Sequence, residues 1–226
     1  MRQRRAIKSR FKDKVAIVTG GSSGIGRATV EEICKEGAAV VFTGIEEDIG
    51  IAAEKALTEG GYDVLFCCGD MADEQFCGDI VRQTLSKRKG IYYLVDNAFS
   101  LTSKGLNATR EDWERVFQVG PVALATMAQN VVEPMKHPGG GAIVNVSSIS
   151  AFVAQPNRWT YNAAKGAVRI LTKCMALDLA RFGIRVNSVS SGWTWTREVD
   201  KWLGATAPSE SQSGGNFTCW NGAQTQ

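Results

Sequence analysis

Between Lys14 and Thr19 the chain reads VAIVT, and this apolar run empties into Thr19-Gly20-Gly21-Ser22-Ser23-Gly24-Ile25-Gly26. An aliphatic run with charge on one side and glycines on the other suits a strand buried on both faces, as parallel sheets require. The turn after it carries small residues where the chain must reverse sharply. Gly20, Gly24 and Gly26 permit positive φ and close backbone approach, and Ser22, Ser23 and Ile25 expose their amides between them. A helix starting near Gly24 would aim its free N–H groups and positive dipole end at whatever sits in that turn. Strand, glycine turn and helix in this order make a phosphate cradle and commit the chain to a βαβ architecture.

The alternation continues down the chain. AAVVFTG is read as a second strand, Asp48 to Glu59 as a helix, Asp63 to Cys68 as a third strand, and a helix follows from Asp73. IYYLV at 91–95 is a fourth strand, Thr109 to about Met135 a long helix, and AIVNVS at 142–147 a fifth strand. A helix from Trp159 or Tyr161 to Phe182 leads to RVNSVS at 185–190, the sixth strand. Such alternation implies right-handed crossovers and an α/β fold: a Rossmann-type, doubly wound parallel sheet whose ligands lie at the carboxyl ends of the strands. With 226 residues, 44% of them hydrophobic, the chain has enough apolar side chain for one domain with a substantial core, placed at 14–203. Residues 1–13 read as a basic tail. From Gly204 on, ATAPSESQSGGNFTCWNGAQTQ has neither strand nor helix period and reads as an irregular tail over 204–226.

Charge and cysteines exclude several function classes. The net charge is only +3, and much of the basic excess sits before the first strand at Arg2, Arg4, Arg5, Lys8, Arg10 and Lys12, so no nucleic-acid partner is expected. The six cysteines form no CxxC pair and the only histidine is His137, which predicts a reduced, metal-free, cytoplasmic protein. The basic tail leaves an organelle presequence as the alternative. No apolar run approaches the roughly 20 residues of a membrane span.

The spacing TGxxxGIG resembles that of the short-chain dehydrogenase/reductase superfamily, classical type, and further motifs extend the resemblance to about residue 203. Asp70 and Met71 in CCGDM match the segment whose acid lies against the adenine of the family's dinucleotide. Asn97-Ala98 in VDNAF matches the core of its NNAG motif, with Phe99 where glycine is usual. Ser148 stands thirteen residues before Tyr161 and Lys165 four after it, the family's catalytic spacings. Beyond the sixth strand, Ser191-Gly192-Trp193-Thr194-Trp195-Thr196 stands in for PGxxxT, which places Gly192, Trp193, Thr194 and Thr196 beside the nicotinamide carboxamide and pyrophosphate.

The resemblance implies an NAD(P)-dependent oxidoreductase that interconverts an alcohol and a ketone. An i, i+4 pair shares one helix face, so the Lys165 ammonium is expected near the Tyr161 phenol, lowering a pKa that is ordinarily about 10. Tyr161 would exchange the proton, Ser148 would hold the substrate oxygen, and Lys165 would also contact the nicotinamide ribose. Gln155, Asn157, Trp159 and Trp193 flank the expected substrate face. Two departures bear on activity. The family's helix asparagine, expected a few residues beyond Trp113, is absent. Gly120-Pro121 stands in the same stretch, and the proline is expected to bend the helix there. At the exit of strand two, Gly44 replaces the usual acid and Ile45 the usual arginine; Glu46, Glu47 and Asp48 follow and would repel a 2′-phosphate, which favours NAD.

The family's seventh strand has no counterpart in this sequence, so six strands are expected and the sixth would be an exposed edge. Two other readings therefore stay open: a dinucleotide-binding protein without turnover, and a truncated variant that folds only with a partner over that edge. The resemblance also implies pairing of the helices near 109–135 and 159–182 with those of a second copy. Ala163, Ala164, Ala167 and Ala176 keep the second helix slim, so a homodimer is expected and a tetramer disfavoured.

Overall fold

The computed structural model describes residues 9–197 and 199. The 204–226 tail, the stretch in which no seventh strand is expected and most of the 1–13 tail lie outside the described residues. Among these residues the order is β1 (Val15–Val18), α1 (Gly24–Lys35), β2 (Ala39–Gly44), α2 (Glu47–Glu59), β3 (Val64–Cys68), α3 (Glu74–Lys87), β4 (Tyr93–Asp96), α4 (Arg110–Phe117), α5 (Ala123–Lys136), β5 (Gly141–Ser148), α6 (Trp159–Leu179) and β6 (Ile184–Ser191). All pairings are parallel, and the six strands lie in the order β3-β2-β1-β4-β5-β6. No described helix is long and apolar enough to cross a membrane.

Strand residues alternate between two apolar layers, as the period of two dictates. Ile17, Val41, Leu94 and Ile143 pack with Ile80, Met127, Val131, Val168 and Met175 from α3, α5 and α6. Ala16, Val18, Val40, Phe42 and Val95 pack on the opposite face with Val30, Cys34, Ala53 and Leu57 from α1 and α2. Both faces of β1 and of its neighbour β2 are thus covered, which is why β1 could be read from an uninterrupted apolar run, whereas β6 keeps Arg185 and residues 187–190 exposed.

The direction of winding reverses between β1 and β4, and the cleft opens there, beyond the carboxyl ends of the strands. Asn97, just past β4, fastens that point. Its side-chain amide donates to the Thr19 and Gly20 carbonyls, each at 3.0 Å, while the Asn97 and Ala98 amides donate to Thr19 Oγ1 at 3.0 and 3.1 Å.

The long helix expected from Thr109 to Met135 is divided. A capping box at Thr109 and Asp112 starts α4, and a five-residue π-type turn at Gln118–Val122 separates it from α5. Pro121 supplies no N–H and disfavours the helical conformation at the residue before it, so Gly120 takes φ −90° and ψ −109°. The bend expected at Gly120-Pro121 is therefore present.

Candidate active site

The cleft at the switch point has a volume of about 360 Å³. At one end lies the turn from β1 into α1. Gly20 has φ +63°, and a β-carbon on Gly26 would lie 2.1 Å from the Gly20 carbonyl oxygen and 2.5 Å from Asn97 Nδ2. Gly26 is thus the contact point between helix and turn and lies behind the cleft wall, whereas Gly20, Ser22, Ser23, Gly24 and Ile25 line it. Ser23 is the N-cap residue of α1 but makes no side-chain capping bond, and the first turn carries no acid. The N–H groups and dipole of α1 are therefore available to an anion.

The wall continues through Ile45, Asp70, Met71, Asn97 and Ala98. Gly44 holds its unusual place because a β-carbon there would lie 2.4 Å from Ser22 Oγ. Burial pushes the Asp70 carboxyl up, but the hydrogen bonds from Arg115 and the Ala72 amide outweigh this and leave it below the ordinary aspartate value. Arg115 Nη1 lies 2.5 Å from Asp70 Oδ2. Sequence reasoning missed Arg115, which reaches the cleft from α4, and Arg197, whose Nη2 is 2.8 Å from Glu46 Oε2 across the wall. Both ion pairs join residues remote in sequence, and no local pattern announces them.

At the other end stand Tyr161 and Lys165, one turn apart on α6, with Ser148 at the last position of β5. Ser148 accepts from the Ser150 amide at 3.1 Å and hydrogen-bonds the Tyr161 phenol. Burial raises the phenol above its ordinary value; the Ser148 bond and the Arg158 charge oppose this without overcoming it. The expected lowering of Tyr161 by Lys165 is thus not what the geometry gives. The Lys165 ammonium lies 5.7 Å from the Tyr161 ring centroid but 3.5 Å from that of Phe99, and it donates to the Val146 carbonyl at 2.8 Å. Burial pulls it down to about 7. The cation that does act on the phenol is Arg158, another residue sequence reasoning missed, whose guanidinium lies 5.3 Å from the Tyr161 ring and 5.0 Å from the Trp193 ring.

Beside Tyr161 a smaller cavity of about 140 Å³ is lined by Ser148, Gln155, Arg158, Gly192, Trp193, Thr194 and Thr196, among others. Gln155 and Trp193 therefore reach the expected substrate side, as do Gly192 and Thr194; Thr196 lines both cavities. Asn157 and Trp159 line neither. Asn157 sits in a left-handed turn at φ +56° with its backbone against Gly105, and Trp159, the first residue of α6, is 54% exposed on the outside.

The residues present fit a dinucleotide: the helix end and glycine turn suit a pyrophosphate, and the same cleft runs on to a phenol and an ammonium. Comparison with known proteins agrees. The family model described as short chain dehydrogenase matches residues 14–204. The chain is 39% identical over 204 residues, 88% of its length and 80% of the relative's, to an NADP-dependent (R)-specific alcohol dehydrogenase of Lentilactobacillus kefiri. L-sorbose reductase from Gluconobacter frateurii, solved with NADPH and L-sorbose, superposes with a TM-score of 0.84 at 31% identity, covering 87% of this chain and 76% of that one. A 7α-hydroxysteroid dehydrogenase solved with NADH and 7-oxo glycochenodeoxycholic acid superposes with a TM-score of 0.83 at 27% identity, covering 88% of this chain and 78% of that one. The chain therefore belongs to the short-chain dehydrogenase/reductase family of oxidoreductases.

Proposed function

We propose that this protein interconverts an alcohol and a ketone with NAD(P), Tyr161 serving as the acid and base. The observation that carries the reading is one cleft with a free helix N-terminus at one limit and Tyr161 and Lys165 at the other, where Ser148 and Tyr161 line the adjoining smaller cavity. A bound nicotinamide would supply or accept the hydride. Gly20, Ser22, Ser23, Gly24 and Ile25 would hold its pyrophosphate, Ile45, Asp70 and Met71 the adenosine end, and Asn97, Ala98, Lys165 and Thr196 the nicotinamide end. The chain's own residues handle the proton. Tyr161, protonated at neutral pH as any phenol is and made harder still to ionise by burial, donates its phenolic hydrogen to a carbonyl oxygen that Ser148 orients, and as the phenolate it takes a proton back from an alcohol. Since the phenol is raised, reduction is favoured near neutrality and oxidation gains as pH rises toward the phenol's value.

NAD is the preferred cofactor in this reading. Ile45 is apolar where a cation would grip a 2′-phosphate, and the acids from Glu46 to Asp48 follow it. The Arg197 pairing offsets part of the Glu46 charge, so the preference is modest. The relatives named above include proteins with either cofactor in their descriptions. One observation favours binding without turnover as the second reading: Phe99 keeps the Lys165 ammonium away from the phenol. Fluorescence titration with NADH and NADPH, then a panel of alcohols and ketones with each, separates the two; binding of both cofactors with no turnover on the panel would decide for the second.

A homodimer completes the proposal. Trp159, Ala163, Ile170, Cys174 and Leu177 form one exposed stripe along α6, with Ile170 59% and Leu177 80% accessible. Of the alanines expected at such an interface, Ala164 is buried in the protein itself and Ala176 packs on its own core; only Ala163 is exposed.

A further inference from the structure

We propose that Phe99 is the positioning residue of Lys165: its ring face seats the ammonium, and Gly120 leaves the gap in which that ring lies. This rests on the reading of Lys165 as a residue of the nicotinamide end of the cleft and adds the device that places it.

The ammonium is 3.5 Å from the Phe99 ring centroid, the separation of a cation lying on the face. The same ring meets Tyr161 edge-on, with centroids 5.4 Å apart and planes at 80°. On its other side it touches the π-type turn, since a β-carbon on Gly120 would lie 2.7 Å from Phe99 Cε2 and 3.0 Å from Cζ. No side chain larger than hydrogen fits at 120 with the ring where it is. Positions 99 and 120, remote in sequence, are complementary in shape.

The chemistry requires such a seat. Lys165 is only 3% exposed, and among the described residues no carboxylate is within ion-pair distance of it. A buried ammonium with a single carbonyl, that of Val146 at 2.8 Å, is poorly compensated for the water it has lost. The negative face of an aromatic ring supplies part of the missing stabilisation, and does so best where water is excluded. An aliphatic side chain would keep the site dry and supply none. The ring is also placed by the phosphate-binding end, because Asn97, two residues earlier, is fastened to the Thr19 and Gly20 carbonyls. One short segment thus ties the lysine's seat to the cofactor turn.

The test follows the Lys165 side chain itself. Protein carrying 13C-labelled lysine is titrated by NMR without cofactor, the Lys165 Cε signal being assigned by its loss in Lys165→Arg. Phe99→Leu should lower the Lys165 midpoint by about one pH unit, since burial persists and the ring face is gone. Phe99→Gly should raise it, because water reaches the ammonium. Gly120→Ala should lower it in the native background and leave it unchanged on top of Phe99→Leu. If Phe99→Leu does not give a folded spectrum, Phe99→Met, which keeps the volume without a ring, takes its place with the same expectation. An unchanged midpoint in the folded leucine or methionine variant would overturn the proposal and leave the oxidoreductase reading standing. Absence of turnover would overturn that reading and leave this one, because the titration needs neither cofactor nor substrate.

Discussion

Replacing Lys165 by methionine should stabilise the protein while abolishing its catalysis, and the gain should depend on pH. Burial pulls the ammonium from 10.5 down to about 7. At about 1.4 kcal/mol per pH unit, that difference sets a ceiling of about 5 kcal/mol on the cost of holding the charge in the folded state. The Val146 carbonyl and the Phe99 ring are lost with the ammonium, and the carbonyl is left without its partner. These offsets, about 1–2 kcal/mol each, leave a net gain of roughly 2 kcal/mol for Lys165→Met. The direction of the pH effect follows from proton binding. Because the folded pKa is the lower one, the unfolded chain binds the extra proton between about 7 and 10.5, and native stability rises with pH across that window. Below it both states are protonated and the native protein bears the whole cost; above it both are neutral and the cost vanishes. Because the cost of the charge falls by about 4 kcal/mol between about pH 6 and about pH 10, urea unfolding should show the variant ahead by roughly 2 kcal/mol at the lower value and behind by about as much at the higher. A variant less stable than the native protein at the lower pH, or a gap that stays constant, would refute the reasoning.

Three further outcomes are expected. Gly26→Ala forces a β-carbon onto the Gly20 carbonyl and the Asn97 amide; it should cost roughly 1–3 kcal/mol in chemical unfolding and weaken NADH binding at least about tenfold in fluorescence titration. Ile45→Arg places a cation at the exit of β2 and should narrow or reverse the preference for NADH over NADPH, measured by the same titration. Leu177→Glu puts a charge in the exposed stripe of α6 and should turn a dimer into a monomer by light scattering coupled to size exclusion, with cofactor affinity within a few-fold of native.

The inner strands were legible in the sequence because they are buried on both faces, so that VAIVT or AAVVFTG stands out against flanking charge and glycine. The phosphate turn was legible for a related reason: the backbone there tolerates only glycine at Gly26, and that requirement is written as residue type. Ser148, Tyr161 and Lys165 could be picked out by their spacing, but their electrostatics could not. The ammonium rests on Phe99, and the cation that acts on Tyr161 is Arg158, because burial and ring placement, not helical periodicity, decide which charge meets which group. The same applies to Arg115 and Arg197, whose partners come from β-strand exits far away in the chain. Asn157 and Trp159 line neither cavity in this structure: Asn157 takes a left-handed conformation two residues before α6, and nothing in the composition of that segment marks it. Phe99 and Gly120 could be recognised singly as departures from a pattern, whereas their fit to each other exists only in the fold.

The most direct test of the account compares native protein with Tyr161→Phe under saturating NADH, following ketone reduction and cofactor binding in the same preparations. The variant keeps the ring contacts to Phe99 and Arg158 and loses only the hydroxyl, so reduction should fall by at least about a hundredfold while NADH affinity stays within a few-fold. Reduction by the variant at a rate comparable to the native protein's would contradict the assignment of Tyr161 as the acid and base.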